Sequence, residues 1–173
     1  TNTKILAFSS ISHLGWMIII TTYNPNLTML NFYLYSIMTA TTFLTLNTTK
    51  ALNLSTMMTS WTKMPMPNTT LMLTLLSLAG LPPLTGFMPK WLIIYDLTKQ
   101  EMAVTATLIA MLSLLGMFFY LRLTYYLTIT LPPNSTNHMK QWHINKTPNI
   151  LIAILTSLST LLLPITPLIL STT

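Results

Sequence analysis

The chain contains no cysteine. Disulfide frameworks, thiolate nucleophiles, zinc fingers and iron-sulfur ligation by this polypeptide are therefore excluded, and any redox chemistry belongs to a partner. Acid is almost as scarce, since Asp96 and Glu101 are the two carboxylate side chains in 173 residues. They read as loop-edge residues rather than an acid pair, and no Ser-His-Asp arrangement is available for nucleophilic catalysis. The four glycines form neither G-x-G-x-x-G nor a Walker loop, which removes the usual phosphate-cradling signatures. Charged residues of both signs make up only 6% of the chain, far below the roughly 25% of soluble domains.

What is present is apolar. With 51% hydrophobic residues and a mean hydropathy of +0.60, this is the composition of a membrane protein. The formal net charge of +6 comes from eight basic residues scattered singly between apolar runs. It lacks the basic stripe with interleaved aromatics that nucleic-acid binding needs, so no nucleic-acid partner is expected. The chain opens TNTKILAFSS without an initiator methionine or a three-part signal peptide, and it reads as the C-terminal piece of a longer protein.

Five apolar spans are marked by the sequence: 5–22, 27–46, 71–97, 102–131 and 149–170. Each is near or above the ~20 residues that cross a ~30 Å hydrocarbon core as helix. The joints are polar and turn-forming: Tyr23 to Asn26, the longer Asn47 to Thr70 region with Pro65 and Pro67, Thr98 to Glu101, and Pro132 to Pro148. The fold class expected is all-α, a polytopic bundle of five membrane helices within residues 1–173. Lys4, Lys50, Lys63, Lys140 and Lys146 then fall on one side, against Lys99 alone beside Asp96 and Glu101 on the other. Retention of basic loops on the cytoplasmic or equivalent side sets the orientation. The N-x-S/T triplets at Asn26, Asn47, Asn53, Asn68, Asn134 and Asn145 are split across the membrane by this topology, so they read as chance products of a threonine-rich chain.

The third span carries the unusual residue types. In SLAGLPPLTGFMPKWLII (77–94), Gly80, Pro82, Pro83, Gly86 and Pro89 interrupt an apolar run, and Lys90 follows them. Prolines remove backbone donors and glycines permit turns, and 27 residues of straight helix would reach about 40 Å, too long for one simple crossing. The third helix is therefore expected to be broken. Broken membrane helices are tolerated where the freed backbone is buried in protein or lines a wet cavity, and transporters use them to build ion sites. An ionisable residue at that depth is by default a functional hypothesis, and lysine, unlike arginine, gives up its proton readily when desolvated. The competing reading is a lysine snorkelling to the far interface beyond Leu97.

His13, in the first span, lies nine residues after Lys4, about 13 Å deeper along a helix. It suits either a proton relay or an imidazole hydrogen-bonded to a neighbouring helix. Tyr120, Arg122, Tyr125 and Tyr126 mark the end of the fourth span as an interfacial aromatic belt, with Arg122 snorkelling to the basic side. His138 and His143, with Trp142, have no carboxylate or cysteine to complete a metal site and read as solvated loop. Pro164 and Pro167 bend or end the last span. No catalytic, cofactor-binding or metal residue is expected.

The stretches KILAFSSISHLGW (4–16), YNPNLTMLN (23–31), SLAGLPPLTGFMPKW (77–91), FYLRL (119–123) and LLPITP (162–167) resemble the C-terminal half of the subunit 2 family of mitochondrial NADH-ubiquinone oxidoreductase, in its vertebrate form. That resemblance covers the whole chain in order, and it implies an antiporter-like subunit of the membrane arm of respiratory complex I. It implies proton translocation coupled to electron transfer from NADH to ubiquinone, with basic loops facing the matrix of the inner mitochondrial membrane. NADH, flavin, iron-sulfur clusters and ubiquinone are then expected on other subunits, and the partners are other membrane-arm subunits and the lipid bilayer. Lys90 matches the family's lysine in the broken helix, and His13 matches the histidine of its SSIxHxG motif. Phe8 stands where relatives commonly have tyrosine. The family's glutamate and two earlier lysines correspond to positions upstream of Thr1, so this piece holds part of a proton path. A scaffold without its own path and a free-standing cation/proton antiporter are the other readings.

Overall fold

The structure, a computed structural model, describes residues 2–51, 53–60, 64–129, 150–162 and 164. All regular structure among them is helical: α1 (Asn2–Thr21), α2 (Pro25–Thr49), α3 (Leu54–Ser60), α4 (Pro65–Ala79), α5 (Phe87–Lys99), α6 (Ala103–Ile129) and α7 (Ile150–Leu161). By length and composition α6 is long and apolar enough to cross a membrane, and Leu6–Thr21 and Ile150–Thr160 are shorter apolar helices.

Beside a buried apolar core, many large apolar side chains face outward and small polar ones are buried. Phe8, Ile11, Leu14 and Ile18 of α1 and Leu108, Met111, Leu115 and Phe118 of α6 are exposed, while Ser9, His13, Thr41, Thr42, Thr45, Thr74, Ser77 and Ser159 are buried. The hydroxyls are buried at little cost because they satisfy themselves locally. Thr41 donates to the Met38 carbonyl at 2.7 Å, Thr74 to Leu71 at 3.0 Å and Ser77 to Thr74 at 2.7 Å, the back-bonding that lets small polar residues sit inside helices. Small side chains also let helices approach closely, as membrane interfaces require.

Proline placement sets two helix starts. Pro25 and Pro65 occupy the first turns of α2 and α4, where the missing N–H is no loss and φ is already helical. This corrects the expected start of the third span, since Pro65 and Pro67 open the helix instead of belonging to the joint before Leu71. The same joint also holds α3. The helix of the fifth span ends at Leu161; Pro167, His138, His143, Lys63, Lys140 and Lys146 lie outside the described residues.

Two apolar clusters are stacked along the bundle. One joins Leu30, Leu34 and Met38 of α2, Leu71, Leu75 and Leu78 of α4, and Tyr120, Leu123 and Leu127 of α6. The other joins Ile20 of α1, Leu27 of α2, Ile93 and Leu97 of α5, and Ala106 and Ile109 of α6. Helices α2 and α6 run continuously through both, whereas α4 belongs to the first and α5 to the second. At the second end, Asn24 in the α1–α2 turn donates from Nδ2 to Asp96 Oδ2 of α5 at 2.9 Å. The turn and the α5–α6 junction, with Lys99, therefore share one end, and Lys4 and Lys50, at the other ends of α1 and α2, share the opposite one. Replacing Asn24 by leucine removes this tie, worth ~1 kcal/mol. Backbone amides of the turn and of the last turn of α5 are then expected to lose about fivefold in hydrogen-exchange protection, with α4 unchanged.

Candidate functional site

The break between α4 and α5 is built by residues 80–86. Gly80 ends α4 in the left-handed region (φ 82°), its N–H reaching the Leu76 and Ser77 carbonyls; only glycine adopts this without strain. Two tight turns follow, from Leu84 N–H to the Leu81 carbonyl (2.9 Å) around Pro82 and Pro83, and from Phe87 N–H to the Leu84 carbonyl (3.1 Å). Gly86 is buried, and its Cα faces the backbone of α4 so closely that an added Cβ would lie 1.8 Å from the Ser77 carbonyl oxygen. Thr85, fully buried, donates its hydroxyl to the Ser159 carbonyl and pins α7 to the break. Pro89, also buried, sits in the first turn of α5, a position where proline costs a helix nothing.

Lys90 reaches back across this break. Its Nζ donates to the Ala79 carbonyl at 2.9 Å, one of the four carbonyls that end α4 without helical partners. The side chain lies over Gly80, where a Cβ would meet Nζ at 2.9 Å and Cδ at 3.1 Å. Two helix ends act on the ammonium in opposite senses. The negative end of α4 favours it, while the positive end of α5, whose first turn carries the lysine, disfavours it. The charge is held inside the fold by one carbonyl; the side chain does not run outward towards Leu97.

His13 belongs to the buried stripe of α1 with Leu6, Ser9, Met17 and Ile20, the three-and-four spacing of one helix face. Its ring stacks on Tyr35 of α2, with centroids 4.5 Å apart and planes at 30°, and it lies within electrostatic range of Lys90. The hydroxyls of Ser9 and Ser10 flank that of Tyr35. Tyr120 of α6 adds a buried hydroxyl with no hydrogen-bond partner among the described residues, on the Ser9 side of the group. The structure thus gathers His13, Tyr35, Ser9 and Tyr120 against the first apolar cluster, with Lys90 within electrostatic range of His13. Phe8 is 72% exposed, so its side chain is turned away from His13.

Tyr35 and Thr85 escaped the sequence reading, and the first had a signal. His13 and Tyr35 each stand eleven residues from Asn24 in the α1–α2 turn, so an antiparallel hairpin sets them at the same level. Nothing in the sequence marked Thr85, whose partner is a main-chain carbonyl on α7.

The comparisons with known proteins agree with one another. Residues 2–118 match the family described as NADH:quinone oxidoreductase/Mrp antiporter, TM, and residues 117–170 match NADH dehydrogenase subunit 2 C-terminus. The chain is 73% identical over 168 residues to NADH-ubiquinone oxidoreductase chain 2 of Struthio camelus, covering 97% of this chain and 49% of that protein. It is 72% identical over 166 residues to the Coturnix japonica chain 2, covering 96% and 48%. Against the Gallus gallus chain 2 it is 71% identical over 168 residues, covering 97% and 49%. The chain spans about half the length of the curated relatives it matches.

Proposed function

Because the chain belongs to the NADH:quinone oxidoreductase/Mrp antiporter membrane family, we propose that it forms the C-terminal part of a single antiporter-like domain in the membrane arm of respiratory complex I. There it takes part in proton translocation across the inner mitochondrial membrane, driven by electron transfer from NADH to ubiquinone. The observation that carries this reading is the ammonium of Lys90 held on the Ala79 carbonyl inside a helix break, within electrostatic range of His13. Spans 5–22, 27–46, 71–97, 102–131 and 149–170 cross the bilayer in this reading, with the third broken and the Lys4 and Lys50 end facing the matrix. Neighbouring membrane-arm subunits and lipid are the partners. NADH, flavin, iron-sulfur clusters and ubiquinone sit on other subunits.

The residues in hand support one half of a transfer. A neutral Lys90 amine keeps an N–H for the Ala79 carbonyl and offers a lone pair to a proton arriving from the His13 side; the ammonium then holds that proton against the end of α4. His13 passes protons because its two ring nitrogens can donate and accept in turn, and the Tyr35 ring fixes its plane. Pairing the chain with its upstream half supplies the remaining path.

The test is Lys90→Met in the assembled complex containing the full-length chain. The proton-to-electron ratio is expected to fall while NADH:ubiquinone reductase activity persists in uncoupled membranes. An unchanged ratio with normal assembly removes Lys90 from the path. Loss of assembly with an unchanged ratio in the surviving fraction favours a scaffold.

A further inference from the structure

Two helices, not one, end on the α4–α5 break. Helix α7 stops at Leu161, although the apolar run of the sequence continues to residue 170. It packs on α2 and α4, and Ser159, near its end, is held by Thr85 of the break. From that point α7 extends back beside α4, so the two helices run parallel and close at the same level. The last four carbonyls of a helix have no amide ahead of them within it, and the break supplies a side-chain donor to each of these two ends. The Ala79 carbonyl of α4 takes the Lys90 ammonium at 2.9 Å. The Ser159 carbonyl of α7 takes the Thr85 hydroxyl.

Lys90 stands in the first turn of α5, which begins at Gly86 without a side-chain cap. Three contacts of residues 85–90 place that turn. Gly86 lies against the Ser77 carbonyl and Lys90 reaches Ala79, and both of these tie the start of α5 to α4. Thr85, the residue before the N-cap, ties it to α7. The first two contacts join the halves of one broken helix; the third fixes them against a separate span. Thr85 and Ser159 are 1% and 2% exposed, so a Ser159 carbonyl stripped of its donor bears the full penalty of its desolvation.

We propose that Thr85 is a positioning residue for Lys90: its hydroxyl locks the first turn of α5 to the end of α7, so that the ammonium meets the end of α4 only while α7 is in place. Threonine suits this task because it carries a hydroxyl donor on a short side chain that is stiff at χ1. The role rests on the proposed function of Lys90, while the lock itself is a matter of packing and is read separately.

The experiment compares Thr85→Val, which keeps the branched shape and removes the donor, with Thr85→Ser, which keeps the donor. Both are made in the assembled complex containing the full-length chain. Two quantities are read: amide hydrogen exchange of 90–94 and 158–161, and the proton-to-electron ratio beside that of Lys90→Met. In Thr85→Val both stretches are expected to lose about tenfold in protection, with α6 unchanged, and the ratio falls towards that of Lys90→Met. Thr85→Ser restores protection and ratio together. Where Thr85→Val complexes do not accumulate, Thr85→Ala takes its place in the same measurements. Wild-type protection in the variant that lacks the donor overturns the lock. Lost protection with a wild-type ratio, where Lys90→Met lowers the ratio, overturns the positioning role and leaves the proposed function standing. A wild-type ratio in Lys90→Met removes the proposed function and the role of Thr85 with it.

Discussion

On the proposed function, replacing Gly86 by alanine is expected to abolish accumulation of the assembled complex. A Cβ at this position would lie 1.8 Å from the Ser77 carbonyl oxygen and 2.8 Å from its carbon. Both atoms are main chain, so no rotamer change relieves the collision, and α4 and α5 must separate by more than an ångström. The added Cβ would also lie 3.5 Å from Met38 Sδ of α2, and separation of the helix halves strips Thr85 from Ser159. The cost exceeds the ~1–3 kcal/mol of an ordinary extra methylene in a packed core, where side chains share the strain. Native gels of membranes expressing Gly86→Ala are expected to show subassemblies in place of complete complex; wild-type levels would mean that the helix halves are not in contact here.

The second large effect is expected at Gly80, and it separates the position of Lys90 from its charge. Gly80→Val forces a branched residue to φ 82°, a region costing roughly 1–2 kcal/mol for any L-residue and more for a β-branched one. Its Cβ would also occupy the place of the Lys90 terminus, which lies 2.9 Å from that point at Nζ. The lysine must then leave the Ala79 carbonyl while the chain keeps all eight basic residues. On the proposed function, complexes that still assemble should translocate protons as poorly as Lys90→Met, with quinone reduction intact. Equal proton-to-electron ratios in Gly80→Val and wild type would show that the contact with Ala79 is incidental.

Hydrophobic length and joint composition located the helices well where one helix lies between two polar joints. Helices α1, α2 and α6 lie close to spans 5–22, 27–46 and 102–131. The break near Gly80 was readable because its residues each act locally, through a fixed φ, a missing donor or access to positive φ. Pro65 and Pro67 misled because the same ring that ends a helix also fits its first turn, and local sequence leaves both outcomes open. Side-chain faces were the least legible feature. Helices that are apolar all round carry no amphipathic signal, so the inward turn of His13 and its stacking on Tyr35 came from packing. Gly86 shows the same limit from another direction. Its φ of −66° is ordinary, and what demands glycine is a neighbour nine positions back, brought close only by the completed turn.

The stacking of the two apolar clusters has an electrical meaning. Each is a layer of low polarisability, and Lys90, whose Nζ rests on the carbonyl of Ala79 in the first while Ile93 of its own helix belongs to the second, stands where they meet. In the membrane reading, a potential across the bilayer drops mainly over the poorly polarisable layers, so the level of Lys90 behaves as an inner plate between two capacitors in series. A proton that reaches Lys90 has already crossed a share of the ~2.3 kcal/mol per 100 mV available to one charge. On the proposed function, the occupancy of that lysine is tied to the voltage across the membrane, and a depolarised membrane is expected to load it differently from an energised one.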